Sequence, residues 1–125
     1  MVIAWLRAFA LTQVIEAPLY ATALRGIHSG DKASRQHSPA KLLGLGLVPS
    51  ALTHPVVWFV FPQLTQGSVQ LSYFTMVVCA EVFALVAEFL VLRHMGLPHA
   101  ILWSLMANAL SLGLGLVLRH TTGLV

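Results

Sequence analysis

The sequence predicts an all-α fold, a four-helix transmembrane bundle running up-down-up-down, and three observations predict it. The chain is 58% hydrophobic and 9% charged, whereas a soluble domain carries about 25% charged residues. Too little polar surface exists to wrap a globule in water. Four apolar runs, at about residues 2–24, 41–63, 72–93 and 100–118, each approach the ~20 residues that cross a bilayer core at 1.5 Å per residue. Polar and basic residues gather between the runs.

The first run begins near Arg7 and contains Ala21-Thr22-Ala23, which mimics a signal-peptide cleavage site. It is too long for a signal peptide, and Glu16 interrupts it where such a segment is purely apolar. It therefore reads as a mature helix. "RGIHSGDKASRQHSPAK", residues 25–41, is the polar connection. The second run contains Pro49 and Pro55 around Ser50 and His54. "TQGSVQLS" leads to the third run, and "RHMGLPHA" turns through Gly96 and Pro98 to the fourth. Backbone groups in lipid must be satisfied within each segment, so the runs are helices. Short connections make sequential helices antiparallel neighbours of one domain, residues 1–125.

The net charge of +3 does not imply nucleic acid, because no dense Lys/Arg run exists. The basic residues instead flank the spans. Arg25, Lys32, Arg35, Lys41 and Arg93 share one side, against Arg7 and Arg119 on the other. The positive-inside rule then puts the connections 25–40 and 94–99 in the cytoplasm and both termini outside an inner membrane. Trp5, Trp58 and Phe61 fall near one face and Trp103 near the other, as interfacial aromatics do. Cys79, the single cysteine, has no intrachain partner and reads as a small buried hydrophobe. No phosphate-binding loop, GxSxG or paired-Asp motif is present.

The four acids carry the functional signal. Asp31 lies in a connection, but Glu16, Glu81 and Glu88 lie inside apolar runs. An ionised carboxylate at the bilayer centre costs at least ~2.5–3.5 kcal/mol. A buried partner, a cation, a proton or water must offset that cost.

Helical spacing gives each span a polar stripe. Gln13, Glu16 and Tyr20 share a face of the first, and Ser50, His54 and Trp58 a face of the second, with Thr53 beside them. Glu81 and Glu88 are seven apart on the third, and Ser104, Asn108 and Ser111 line the fourth. Four inward stripes would make a polar core. A ring of Glu16, His54, Glu81 and Asn108 is expected near mid-membrane, with Glu88 leading toward the cytoplasm. Tyr20 and Trp58 read as packing residues, and His28, His37, His94, His99 and His120 as solvated. "LGLGLV" occurs at 43–48 and again at 112–117. Close packing at Gly44, Gly46, Gly113 and Gly115 is one reading of it, coincidence in an apolar alphabet the other.

"EVFALVAE" followed by "SLMANALSLGLG" resembles a diffuse class of small, uncharacterised prokaryotic multi-span membrane proteins, which implies no activity. The length and four-span layout also resemble small multidrug-resistance transporters, whose helix 1 carries a glutamate. Glu16 holds a comparable place. The chain departs from that family in adding His54, Glu81 and Glu88, and is not assigned to it.

The favoured expectation is a membrane protein handling a proton or cation at Glu16, His54, Glu81 and Glu88, supported by Gln13, Thr53, Ser104, Asn108 and Ser111. Four helices enclose little volume, so an oligomer or other membrane subunits would complete a transporter. A second reading is a non-catalytic scaffold or accessory subunit, in which buried polar groups specify helix pairing. A third is an intramembrane metalloenzyme with a divalent metal ion on Glu16, His54 and Glu81. No HxxE, ExxH or HExxH spacing supports the metal locally.

Overall fold

A computed structural model describes residues 2–28, 38–66 and 71–122. These form α1 (Val2–His28), α2 (Pro39–Phe59), the short α3 (Phe61–Gln66), α4 (Tyr73–His94) and α5 (Ala100–Thr122). Four helices are long and apolar enough to cross a membrane. Asp31, Lys32, Arg35 and His37 lie outside the described residues.

Local chemistry fixes the helix ends. The Ser38 hydroxyl accepts from the Lys41 amide at 3.3 Å, and Pro39 opens α2 where no amide hydrogen is needed. Ser72 caps α4 in the same way through the Thr75 amide at 3.1 Å. The second apolar run breaks at Val60 instead of continuing to 63. Pro62 has no amide hydrogen to continue the ladder, and the Gln63 side chain bonds the Phe59 carbonyl at 2.7 Å. α4 ends just before Gly96, whose φ of +84° suits glycine. There the Gly96 amide bonds Arg93 O and the Leu97 amide bonds Leu92 O, both at 3.0 Å. Buried Leu92 and Leu97 close this Schellman turn.

The four long helices form a closed ring. α1 packs on α2, α2 on α4, α4 on α5, and α5 back on α1, leaving α1 and α4 on one diagonal. α3 lies against α2 and α4. Gly46 lets α2 approach α1 closely, because a Cβ there would run into the backbone at Ala17 and Ala21. Gly44, Gly113 and Gly115 face open space. Only one glycine of the "LGLGLV" pair therefore makes a close contact, and the two copies have no common role.

Exposure is reversed relative to a water-soluble bundle. Val14 is 73% and Phe74 76% exposed, while Glu16 is 1% and Glu88 2% exposed. Apolar side chains outside and carboxyls inside are what a lipid solvent selects. Cys79 departs from expectation, being exposed on the outer face of α4. Glu81 and Ala84 mark that helix's cavity side instead. An apolar cluster of Tyr20, Leu24, Leu42, Leu92, Leu97 and Ala100 fills the bundle end where α1 finishes and α5 starts.

Candidate functional site

Helical spacing turns Glu16, Ser50, Thr53, Glu88, Asn108 and Ser111 toward one interior region. Glu16 Oε1 accepts from the Ser111 hydroxyl at 2.6 Å, and its Oε2 from the Ser50 hydroxyl. Glu88 Oε1 accepts from Thr53 at 3.0 Å. Its Oε2 accepts from the Tyr20 hydroxyl at 2.6 Å and from Asn108 Nδ2 at 2.7 Å. Asn108 also donates to the Ser104 carbonyl at 2.9 Å. Ser104 donates to the Leu85 carbonyl at 2.9 Å, pinning α5 to α4 rather than touching a carboxylate. Every carboxylate oxygen of the pair has a donor, and every donor is neutral. The basic residues Arg7, Arg25, Lys41 and Arg93 are exposed.

A cavity of about 290 Å³ adjoins this network. Its walls include Ala8 to Glu16 on α1, Trp58 to Thr53 on α2, Tyr73 to Glu88 on α4 and Leu116 to Asn108 on α5. Tyr73 is 69% exposed and stands at the start of α4. The cavity thus enters from the end where α1 begins and descends two helical turns or more to the carboxyl pair. Beyond the pair the apolar cluster closes the bundle.

The residues expected from the sequence divide into three groups. Glu16, Glu88, Thr53, Asn108 and Ser111 converge, with Ser104 beside them. Glu81 lines the cavity, half-buried, with no hydrogen bond among the described residues. His54 lines the cavity too, but it is set among rings: Phe9 at 5.1 Å edge-on, Trp58 stacked at 6.1 Å and Trp5 at 6.4 Å. Its Nδ1, Trp5 Nε1 and both amide atoms of Gln13 are buried with no partner among the described residues.

The expected ring of Glu16, His54, Glu81 and Asn108 is therefore not the arrangement found; Glu88 takes the place given to His54 and Glu81. Side chains on a helix lean toward its N-terminus, which carries the Glu88 carboxyl back from its Cα toward mid-bundle. Among the described residues no three His, Cys, Asp or Glu side chains gather as metal ligands would. The divalent ion on Glu16, His54 and Glu81 accordingly lacks its ligand set.

Tyr20 and Ser50 were not among the expected site residues, yet both donate to the carboxyl pair. A signal was present for each. Tyr20 follows Glu16 by four residues, and Ser50 precedes His54 by four. No protein-family model matches this chain, and no curated protein or solved structure matches it either.

Proposed function

We propose that this is a small polytopic protein of a cell's inner membrane that binds and passes a proton or cation at the Glu16–Glu88 pair. The observation that carries the reading is a single cavity lined by Glu16, Glu81 and Glu88 that ends against an apolar cluster. Two buried carboxyls held only by neutral donors lack a charge partner among the described residues. A proton or cation arriving through the cavity supplies it, and departure removes it.

Tyr20 connects this exchange to the barrier, because it donates to Glu88 and also belongs to the apolar cluster. A change in the charge partner of Glu88 weakens or strengthens that donation. The cluster then loosens or tightens, which is the coupling a carrier needs. In this reading the closed end faces the cytoplasm and both termini lie outside, supported by the positive-inside rule applied to Arg25, Lys41 and Arg93. One bundle is narrow, so a second copy or another membrane subunit completes the path.

The test is flux in lipid vesicles containing the purified protein, read with a pH-sensitive dye under an imposed gradient of protons or of potassium. Wild type is expected to carry flux that E16Q or E88Q lowers at least tenfold. Unchanged flux in both variants contradicts the role of the pair. A scaffold role is the second reading, favoured by the complete hydrogen bonding of Glu16 and Glu88. Absence of flux for every cation, with a partner chain co-purifying, would select it.

A further inference from the structure

The cavity walls narrow the kind of cation that suits them. The oxygens of Glu16 and Glu88 are engaged by hydroxyl and amide donors. Glu81 differs: it borders the cavity and holds no hydrogen bond among the described residues. A bare divalent ion takes about six oxygen ligands, and no such gathering of acids exists among the described residues. Most of the remaining wall is apolar or aromatic, with Leu11, Val57, Leu112 and Trp58 on it. This apolar part of the wall offers nothing to a hydrated inorganic ion and suits carbon instead. The volume of about 290 Å³ is close to the lower bound of small-molecule sites, roughly 300–1,000 Å³. His54 stacks on Trp58 with 16° between the rings, which holds the indole in place.

We infer that the cavity binds a small organic amine as its ammonium ion. The N–H groups donate to Glu81, the carbon portion lies against Leu11, Val57 and Leu112, and the Trp58 ring supplies a cation–π surface. This rests on the cation reading above and names its substrate class. Glu81 is then the docking carboxylate near the entrance, and the Glu16–Glu88 pair is the deeper site. His54 is a positioning residue that acts through Trp58.

The experiment measures binding to the full-length protein in detergent micelles, by calorimetry and by tryptophan fluorescence. The probes are phenethylammonium and n-butylammonium, with 2-phenylethanol as the neutral counterpart. Phenethylammonium is expected to bind saturably and at least tenfold more tightly than 2-phenylethanol. E81Q should weaken it at least tenfold, W58A severalfold and W58F less than W58A. A84F, which fills the cavity beside Ala84 without removing a carboxylate, should abolish it. The comparison of amine with alcohol needs no variant, so it holds even if one of these fails to fold. Equal binding of amine and alcohol, or no saturable amine binding, overturns the inference. If vesicle flux still depends on Glu16 and Glu88 in that case, the cation reading stands and only the amine is lost; if the flux is absent too, both fall.

Discussion

The Tyr20 hydroxyl donates to Glu88 Oε2 at 2.6 Å, between residues 68 apart in sequence. The bond crosses the diagonal of the ring from α1 to α4, helices that do not otherwise pack on one another. Tyr20 is fully buried in the apolar cluster, and Glu88 borders the cavity. One hydrogen bond thus joins the closed end of the bundle to its polar floor.

Removing that hydroxyl tests the link. Y20F keeps the ring and loses one donor, while Asn108 still serves Glu88 Oε2. Hydrogen bonds between membrane helices average about 0.6 kcal/mol and reach about 1.7, so a loss in that range is expected. Reversible unfolding in mixed detergent measures it. A loss well outside the range would mean that the bond does more, or less, than join two helices. In vesicles the same variant should leak, because the cluster is no longer tied to the site.

Glu88 can lose its charge without losing its hydrogen bonds. In E88Q the amide oxygen can accept from Tyr20 and Asn108, while its NH₂ donates to the Thr53 hydroxyl turned to accept. E88Q is therefore expected to fold like wild type. E88L removes an acceptor from all three donors. Thr53 keeps the Ser50 carbonyl and Asn108 the Ser104 carbonyl. The buried Tyr20 hydroxyl keeps no acceptor among the described residues, at ~1–3 kcal/mol, so E88L is expected to be less stable than E88Q. Thermal unfolding in detergent distinguishes them; equal stability of the two would deny that the network is formed.

Gly46 and Gly113, one glycine from each copy of the repeat, should respond oppositely. G46A places a methyl against the α1 backbone at Ala17 and Ala21, which cannot move aside as a side chain can. Overpacking of this kind costs roughly 1–3 kcal/mol. G113A meets nothing within 4 Å and should be neutral or slightly stabilising, since Ala favours helix over Gly. Detergent unfolding of both variants reads the difference, and equal costs would place the α1–α2 contact elsewhere.

Cys79 reports on the outer face. It is exposed on a helix long and apolar enough to span a membrane. In lipid vesicles it should react with a lipophilic maleimide and resist a charged, membrane-impermeant one; unfolding in strong detergent should expose it to both. Rapid labelling by the charged reagent in intact vesicles would show water at that surface.

The fold was legible because lipid leaves few choices: length, apolarity and turn residues were enough to set four spans and their order. The break at Val60 was written in Pro62, but the apolar run continued past it and concealed it. The stripes were also legible, as far as which residues face inward. Their pairing across the bundle was not. Spacing along one helix says nothing about its height against the next, so the sequence sets Glu88 toward the cytoplasm, whereas its carboxyl joins that of Glu16 in one network. His54 shows the other limit: its neighbours Trp5 and Phe9 come from α1, and a lone imidazole in a sequence does not reveal that rings rather than carboxyls surround it.

The exchange of charge at the buried pair can be observed directly by infrared difference spectroscopy on the protein in lipid, recorded as pH or cation concentration is changed. The expected result is a carboxyl C=O band that responds in wild type and is lost or altered in E16Q and E88Q. A wild-type spectrum with no carboxyl response across the range, or a response that survives in both variants, would contradict it.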